Sequence, residues 1–298
     1  DSLLHTPEGV RDIYNEECSK KNALSAKLDR ILKLYGYKDI QTPTFEFFDI
    51  FNRERGSVPS RNMYKFIDRD GSTLVLRPDI TPSIARAVAK YFKEETIPLR
   101  FSYCGNTFIN NSSLQGKMKE TTQLGAELIG DRDIEGDAEV VALAIHLLLE
   151  SGLTDFQLDI GHVGIFQCLA KQAGFSEEET ETLRGMLDEK NAMEAGAFLQ
   201  QLGVLKEIQH QCLSLIELYG GVEVLDKAEE IFYQPCYQSV LKELRLLAVF
   251  LQQMGHGNSI TIDLGLLPGF EYYNGLVFRG LGVGVGSPII SGGRYDGV

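Results

Sequence analysis

Between residues 162 and 254 the chain reads as helix after helix, while strand-like segments stand on both sides of that stretch. Apolar residues recur at helical spacing through Glu177–Leu202 and Gln238–Met254, with breaks at Gly174, Gly203 and Gly220-Gly221. Short β-prone runs precede it at 73–76, 99–108, 121–129 and 156–160, and others follow at 259–264, 270–279 and 286–291. A sheet whose strands come from both ends of the chain must close around whatever lies between them. The pattern therefore predicts an α+β fold, an antiparallel sheet flanked by helices, with residues 1–160 and 255–298 forming one domain and 161–254 a helical insertion.

The N-terminal part supports the same layout. Residues 14–35 predict an amphipathic helix, with Cys18, Leu24, Leu28, Ile31 and Leu32 at helical spacing and Gly36 as its stop. The extended segment 36–48 contains Pro43, which lacks a ladder donor and so belongs on an edge or an interface. Thr81-Pro82 predicts a helix start running to Tyr91, with Thr81 as the cap and proline just inside.

Bulk properties exclude several classes. Hydrophobic residues at 43% and charged residues at 24% are ordinary for a globular protein. No apolar run reaches the roughly 18–20 residues that a membrane helix needs, and Asp1–Pro7 lacks the basic and apolar character of a signal peptide. The five cysteines are scattered, without a Cys-x-x-Cys pair, which predicts neither a zinc site nor a disulfide frame and fits the cytoplasm. The net charge of −13, with basic residues only in short pairs such as Lys20-Lys21, weighs against nucleic acid as a partner.

Six blocks of sequence then occur in a telling order: Thr6-Pro-Glu-Gly-Val-Arg-Asp-Ile13, Gly36-Tyr37 through Thr42-Pro43, Leu76-Arg-Pro-Asp-Ile-Thr81, Tyr103 through Gly130, Gly269-Phe-Glu-Tyr-Tyr-Asn-Gly275 and Gly292-Gly-Arg-Tyr-Asp-Gly297. Together they resemble the histidyl-tRNA synthetase family of class II synthetases over nearly the whole chain. Residues 36–43 resemble motif 1, and 103–130 resemble the motif 2 hairpin without a gap. The family pattern Gln-x-Gly-x-Glu-x-x-Gly is present as Gln123, Gly125, Glu127 and Gly130. The resemblance implies a class II aminoacyl-tRNA synthetase-like fold and a homodimer built through residues 14–48.

The departures matter as much. Ile109 stands at the nucleotide-gripping arginine of motif 2, Asn111 at its glutamate, and Pro268 at the arginine of the histidine-specific loop. No motif 3 arginine falls within the 298 residues. Cations at those places would stabilise the charge that develops when a carboxylate attacks the α-phosphate, and one lost donor costs roughly 10²–10³ in rate. Two independent losses cost roughly 10⁴–10⁶. Lys117, nearby, has no bidentate fork. Adenylate formation is not expected, and the expected set of catalytic residues, cofactors and metals is empty.

What the resemblance leaves is an amino-acid pocket. Asp79, Thr81, Gln123, Glu127 and Tyr273 fall at its histidine-binding positions, and carboxylates with hydroxyls suit an ammonium ion. Plainer readings stand beside this one. Asp79 could cap the helix that follows, and one of Tyr272 and Tyr273 could be core. Glu127 on a half-buried strand needs a partner, which favours a ligand-facing role. His146 and His162 read as structural or surface residues, Gly282–Gly286 as a hairpin turn rather than a phosphate loop, and Glu177–Glu181 as a solvated first helical turn.

A synthetase-like chain without its activation residues resembles the regulatory subunits of ATP phosphoribosyltransferase. That family implies a short-form catalytic subunit as partner, a role in the first step of histidine biosynthesis and L-histidine as a feedback ligand. The alternatives are a divergent or truncated histidyl-tRNA synthetase, or a scaffolding paralogue with another partner.

Overall fold

In the computed structural model, residues 2–51, 58–95, 98–111, 116–269 and 272–297 are described. They form two packing units: Asp1–Asp131 with Phe270–Tyr272 and Val298, and Arg132–Gly269 with Tyr273–Gly297. These boundaries follow packing rather than the change of sequence character at 161 and 254.

The first unit begins with α1 (Asn15–Leu34), which carries Glu16 and Glu17 in its first turn and Lys33 in its last, charges that suit the helix dipole. Gly36 follows at φ +84°, a conformation that glycine adopts without a Cβ clash. The chain then forms β1 (Lys38–Asp39), β2 (Phe45–Phe47), β3 (Lys65–Ile67), β4 (Thr73–Leu76), α2 (Thr81–Tyr91), β5 (Leu99–Phe108) and β6 (Glu120–Ile129). One sheet has the order β1-β5-β6 and another β2-β4-β3. The β5–β6 ladder is antiparallel from Leu99↔Ile129 to Phe108↔Glu120. Pro43 thus precedes an edge strand, as its missing N–H requires. Ile80, Ile84 and Phe101 make the core between α2 and the hairpin.

The second unit contains α3 (Ile134–Glu150), β7 (Phe156–His162), six further helices and four further strands. The helices are α4 (Gly164–Ala173), α5 (Glu177–Asp188), α6 (Ala192–Gln201), α7 (Lys206–Glu217), α8 (Val224–Ile231) and α9 (Pro235–Gln253). The strands are β8 (Tyr219–Gly220), β9 (Ile260–Asp263), β10 (Leu276–Gly282) and β11 (Ile290–Gly293), in the order β11-β10-β7-β9-β8. One continuous core joins Leu158, Ile160, Ile262 and Phe278 of the sheet to Val141 and Ile145 of α3 and Leu244, Leu247 and Leu251 of α9.

Four expectations need correction. The described strands form three sheets rather than one, and β1–β5 and β7–β9 pair parallel. The helices α4–α9 connect β7 to β9, and a crossover of that length lets the second strand return in the same direction. The single helix expected over 177–202 is α5 and α6: Lys190 takes a left-handed φ of +58°, and Asn191 caps α6 through the Glu194 N–H. Thr81 does not cap α2, because its hydroxyl bonds Glu127 instead, and Asp79 receives the first N–H groups. Finally, the strand expected over 270–279 begins at Leu276; residues 270 and 271 lie outside the described residues. Among the described residues no helix is long and apolar enough to cross a membrane.

Candidate functional site

Motif 2 places its side chains by strand alternation. Opposed residues of an antiparallel pair share a face, so Tyr103, Gly105, Gln123, Gly125 and Glu127 point one way, and Cys104, Asn106, Thr122 and Leu124 the other. The first face carries the candidate residues. Glu127 is 7% exposed, and its Oε1 accepts a hydrogen bond from the Thr81 hydroxyl at 2.6 Å and from the Tyr103 hydroxyl at 3.5 Å. A Cβ at Gly125 would lie 2.3 Å from the Tyr103 hydroxyl, so glycine is needed for that ring to lie across the ladder.

Asp79 is also 7% exposed and has two jobs. Its Oδ1 accepts the Ile80 N–H at 2.7 Å and the Thr81 N–H at 3.4 Å, and its Oδ2 accepts the Tyr272 hydroxyl at 2.7 Å. Capping and a second polar contact coexist in one carboxylate. The first unit therefore brings Asp79, Thr81 and Glu127 into one hydrogen-bonded chain, with Gln123 on the same face farther along β6. Two carboxylates linked through Thr81, Asp79 by its backbone N–H and Glu127 by its hydroxyl, form an acceptor-rich patch suited to an ammonium group.

Tyr273 belongs to the second unit, where it packs against Val163, Leu266 and Val277 and lies over Gly293. Neither Tyr272 nor Tyr273 is in a strand, so alternation does not assign them. Tyr272 and Tyr103 touch candidate carboxylates and were missed by sequence reasoning; Tyr103 opens the motif, which was the available signal.

At the hairpin stem the Ile109 backbone N–H bonds the Lys119 carbonyl at 2.9 Å, a bond open to any residue there, and the Asn111 side-chain amide donates to the Met118 carbonyl at 3.2 Å. Residues 112–115 of the motif lie outside the described residues, and Lys117 is exposed. The opposite face of the hairpin forms a groove of about 700 Å³ with α1, lined by Lys21, Leu24, Asn106 and Thr122 among others. None of the candidate residues lines it, and the chemistry argues for the other face.

In the second unit, Pro268 follows Leu267, whose backbone is gripped by α5: the Leu267 N–H donates to Asp188 at 2.9 Å, and its carbonyl accepts from Arg184. His162 is structural, accepting the Gly164 N–H at Nδ1 and facing Glu243 at 3.2 Å, a contact that holds the Glu243 carboxyl below its ordinary range. Ser176 and Glu179 form a capping box at α5, so the acidic run at 177–179 opens a helix as expected and Glu179 also caps it. The five cysteines are free thiols.

A long hairpin on a mixed sheet, with the buried Glu127 held by Thr81 and Tyr103, is the arrangement of a class II synthetase-like protein, and the comparisons with known proteins agree. The histidyl-tRNA synthetase family model matches residues 9–298. Among solved structures, the chain is similar to an ATP phosphoribosyltransferase regulatory subunit/histidyl-tRNA synthetase from Bacillus halodurans, with TM-score 0.90 and 34% identity, covering 99% of this chain and 76% of that one. It also shares the fold of a chain in an ATP phosphoribosyl transferase complex from Thermotoga maritima, with TM-score 0.67 and 21% identity, covering 93% and 91%. The ATP phosphoribosyltransferase regulatory subunit of Acetivibrio thermocellus is 40% identical over 98% of this chain and 70% of its own length. That of Clostridium acetobutylicum is 39% identical over 98% and 72%. The chain belongs to the family of ATP phosphoribosyltransferase regulatory subunits. A divergent synthetase is the disfavoured reading.

Proposed function

We propose that this chain activates a short-form ATP phosphoribosyltransferase catalytic subunit and relays inhibition by L-histidine, with the catalytic residues on the partner. The observation that supports the reading is the division within one hairpin: positions 109 and 111 hold Ile109 and the stem-closing Asn111, neither of them a cation, while the buried Glu127 keeps the Thr81 and Tyr103 hydroxyls on the proposed ligand face. Asp79, Thr81, Gln123 and Glu127 are the proposed histidine ligands in the first unit; Tyr273 is proposed on the family resemblance alone. Homodimerisation through residues 14–48, a cytoplasmic location and an insertion at 161–254 belong to the same reading. Relay requires histidine to bind two states of the assembly with different affinity, since equal affinity shifts nothing.

The test is reconstitution with the catalytic subunit. Phosphoribosyl transfer should depend on this chain, and Glu127→Ala should raise the histidine concentration for half-inhibition by about tenfold or more, with the uninhibited rate retained. Histidine-dependent exchange of pyrophosphate into ATP by the chain alone would sink the regulatory reading. Unchanged inhibition in Glu127→Ala would move the effector site elsewhere.

A further inference from the structure

Among the described residues Arg77 is a buried cation that forms no ion pair, although the charge of Glu46 acts on it from a distance. Arg77 is 8% exposed, and its Nε and Nη1 donate to backbone carbonyls: Asn106 at 2.8 Å, Thr42 at 2.9 Å and Pro43 at 3.4 Å. Among the described residues Nη2 has no acceptor and no carboxylate forms an ion pair with the group. The buried Glu46 is bonded instead to Arg86, at 2.8 Å. Carbonyl dipoles orient a guanidinium but do not neutralise it, and an unpaired buried charge is costly to keep. Burial pulls the Arg77 pKa down, yet arginine stays protonated in proteins.

The unpaired nitrogen sits where an anion would be useful. A Cβ added at Gly105 would lie 2.3 Å from Nη2, so Nη2 rests against the hairpin on the face of Gly105, Gln123 and Glu127. Two residues on, Asp79 begins the acceptor chain that runs through Thr81 to Glu127. One strand-to-helix segment thus sets a cation against the hairpin face and, through Thr81, links Asp79 to the carboxylate of Glu127 on that same face. An α-amino acid is the ligand class that carries both complementary charges on one carbon.

We propose that Nη2 of Arg77 anchors the carboxylate of the bound amino acid, supplying the charge that the family places at positions occupied here by Ile109 and Pro268. This rests on the amino-acid reading above. Gly105 is then a specificity-determining position, because only the absence of a Cβ lets the guanidinium reach the pocket face.

The test is calorimetric titration of the full chain with L-histidine and with histamine, which keeps the ammonium and imidazole but lacks the carboxylate. Wild type should prefer histidine by about 10–100-fold, the range of a charge-assisted hydrogen bond. In Arg77→Gln the preference should fall below about threefold, through lost histidine affinity with histamine affinity kept. Gly105→Ala leaves the guanidinium's charge in place but pushes Nη2 aside, and should give the same collapse; it also serves if Arg77→Gln does not fold. Equal binding of both ligands by wild type, or equal weakening of both in either variant, overturns the anchor alone. Binding of neither ligand by folded wild type removes the anchor together with the amino-acid reading.

Discussion

Asp159 on β7 lies between Thr261 of β9 and Arg279 of β10 in the ladder, within reach of the Tyr219 hydroxyl at 3.5 Å. Burial, and then the charge of Asp263, push its carboxyl up to about 6. Asp263 is held by Lys190 at 2.6 Å, so only one of the two acids has a lysine of its own. A carboxyl whose folded pKa is raised stabilises the fold below its unfolded pKa, near 3.9, and that contribution is lost as pH rises through about 6. Asp159→Asn mimics the protonated form. It should match wild type near pH 4 and exceed it near pH 7 by on the order of 1–2 kcal/mol in urea unfolding, after allowance for solvent screening. A gap that does not change with pH would mean that Asp159 carries no such proton. Single residues are also where the sequence was least readable. That Glu127 needs a partner was legible, but the Thr81 hydroxyl supplies one from within the fold, so burial alone does not make the residue ligand-facing. The contacts of Tyr272 and Arg77 depend on segments far away in the chain, Asp79 for one and Thr42 and Asn106 for the other, and periodicity carries no such information.

At the scale of elements, most helices and strands were visible because their apolar residues repeat at 3.6 or 2. The hairpin β5–β6 and α2 fall within a residue of expectation, while α5 and α6 do not. Apolar periodicity runs through both helices, and what parts them is a backbone event at Lys190, a residue type that seldom adopts positive φ. The break has a structural use: it ends α5 at Asp188, whose carboxylate takes the Leu267 N–H, while Arg184 one turn earlier takes the Leu267 carbonyl. Two side chains of one helix thereby replace a strand partner for one residue of the segment that leads to Pro268. Asp188→Ala leaves that buried N–H unsatisfied and should cost about 1–3 kcal/mol. Asp188→Asn keeps an acceptor oxygen and should cost less than about 1 kcal/mol. Hydrogen exchange provides the specific readout: the Leu267 amide should lose protection in Asp188→Ala and retain it in Asp188→Asn. Loss of protection in both would show that the charge, rather than the acceptor, holds the segment.

On the scale of the whole molecule, the proposed dimer makes a demand on exposed apolar surface. Within residues 14–48, Tyr14 is 70% exposed, Leu24 42%, Leu34 78%, Phe45 52% and Phe47 59%. Phe45 also meets the half-exposed Phe66 of β3 edge to face at 5.7 Å, so the aromatic group extends beyond one strand. Isolated exposed hydrophobics are common, but several rigid rings on the two strands that flank β4 mark a candidate contact surface. The net charge of −13 opposes self-association by long-range repulsion, so an apolar contact must supply the affinity. Sedimentation at micromolar concentration should give twice the 33.2 kDa of one chain. Phe45→Glu together with Phe47→Glu should shift the species to 33.2 kDa while leaving the circular dichroism of the fold unchanged. Because the proposed histidine ligands Asp79, Thr81, Gln123 and Glu127 lie on the other elements of the first unit, the monomer should still bind L-histidine within about threefold of wild type. A dimer that survives both charges would place the self-contact outside residues 14–48. A monomer that loses histidine would make the interface part of the binding site, and would require partner and ligand to be treated as one linked equilibrium.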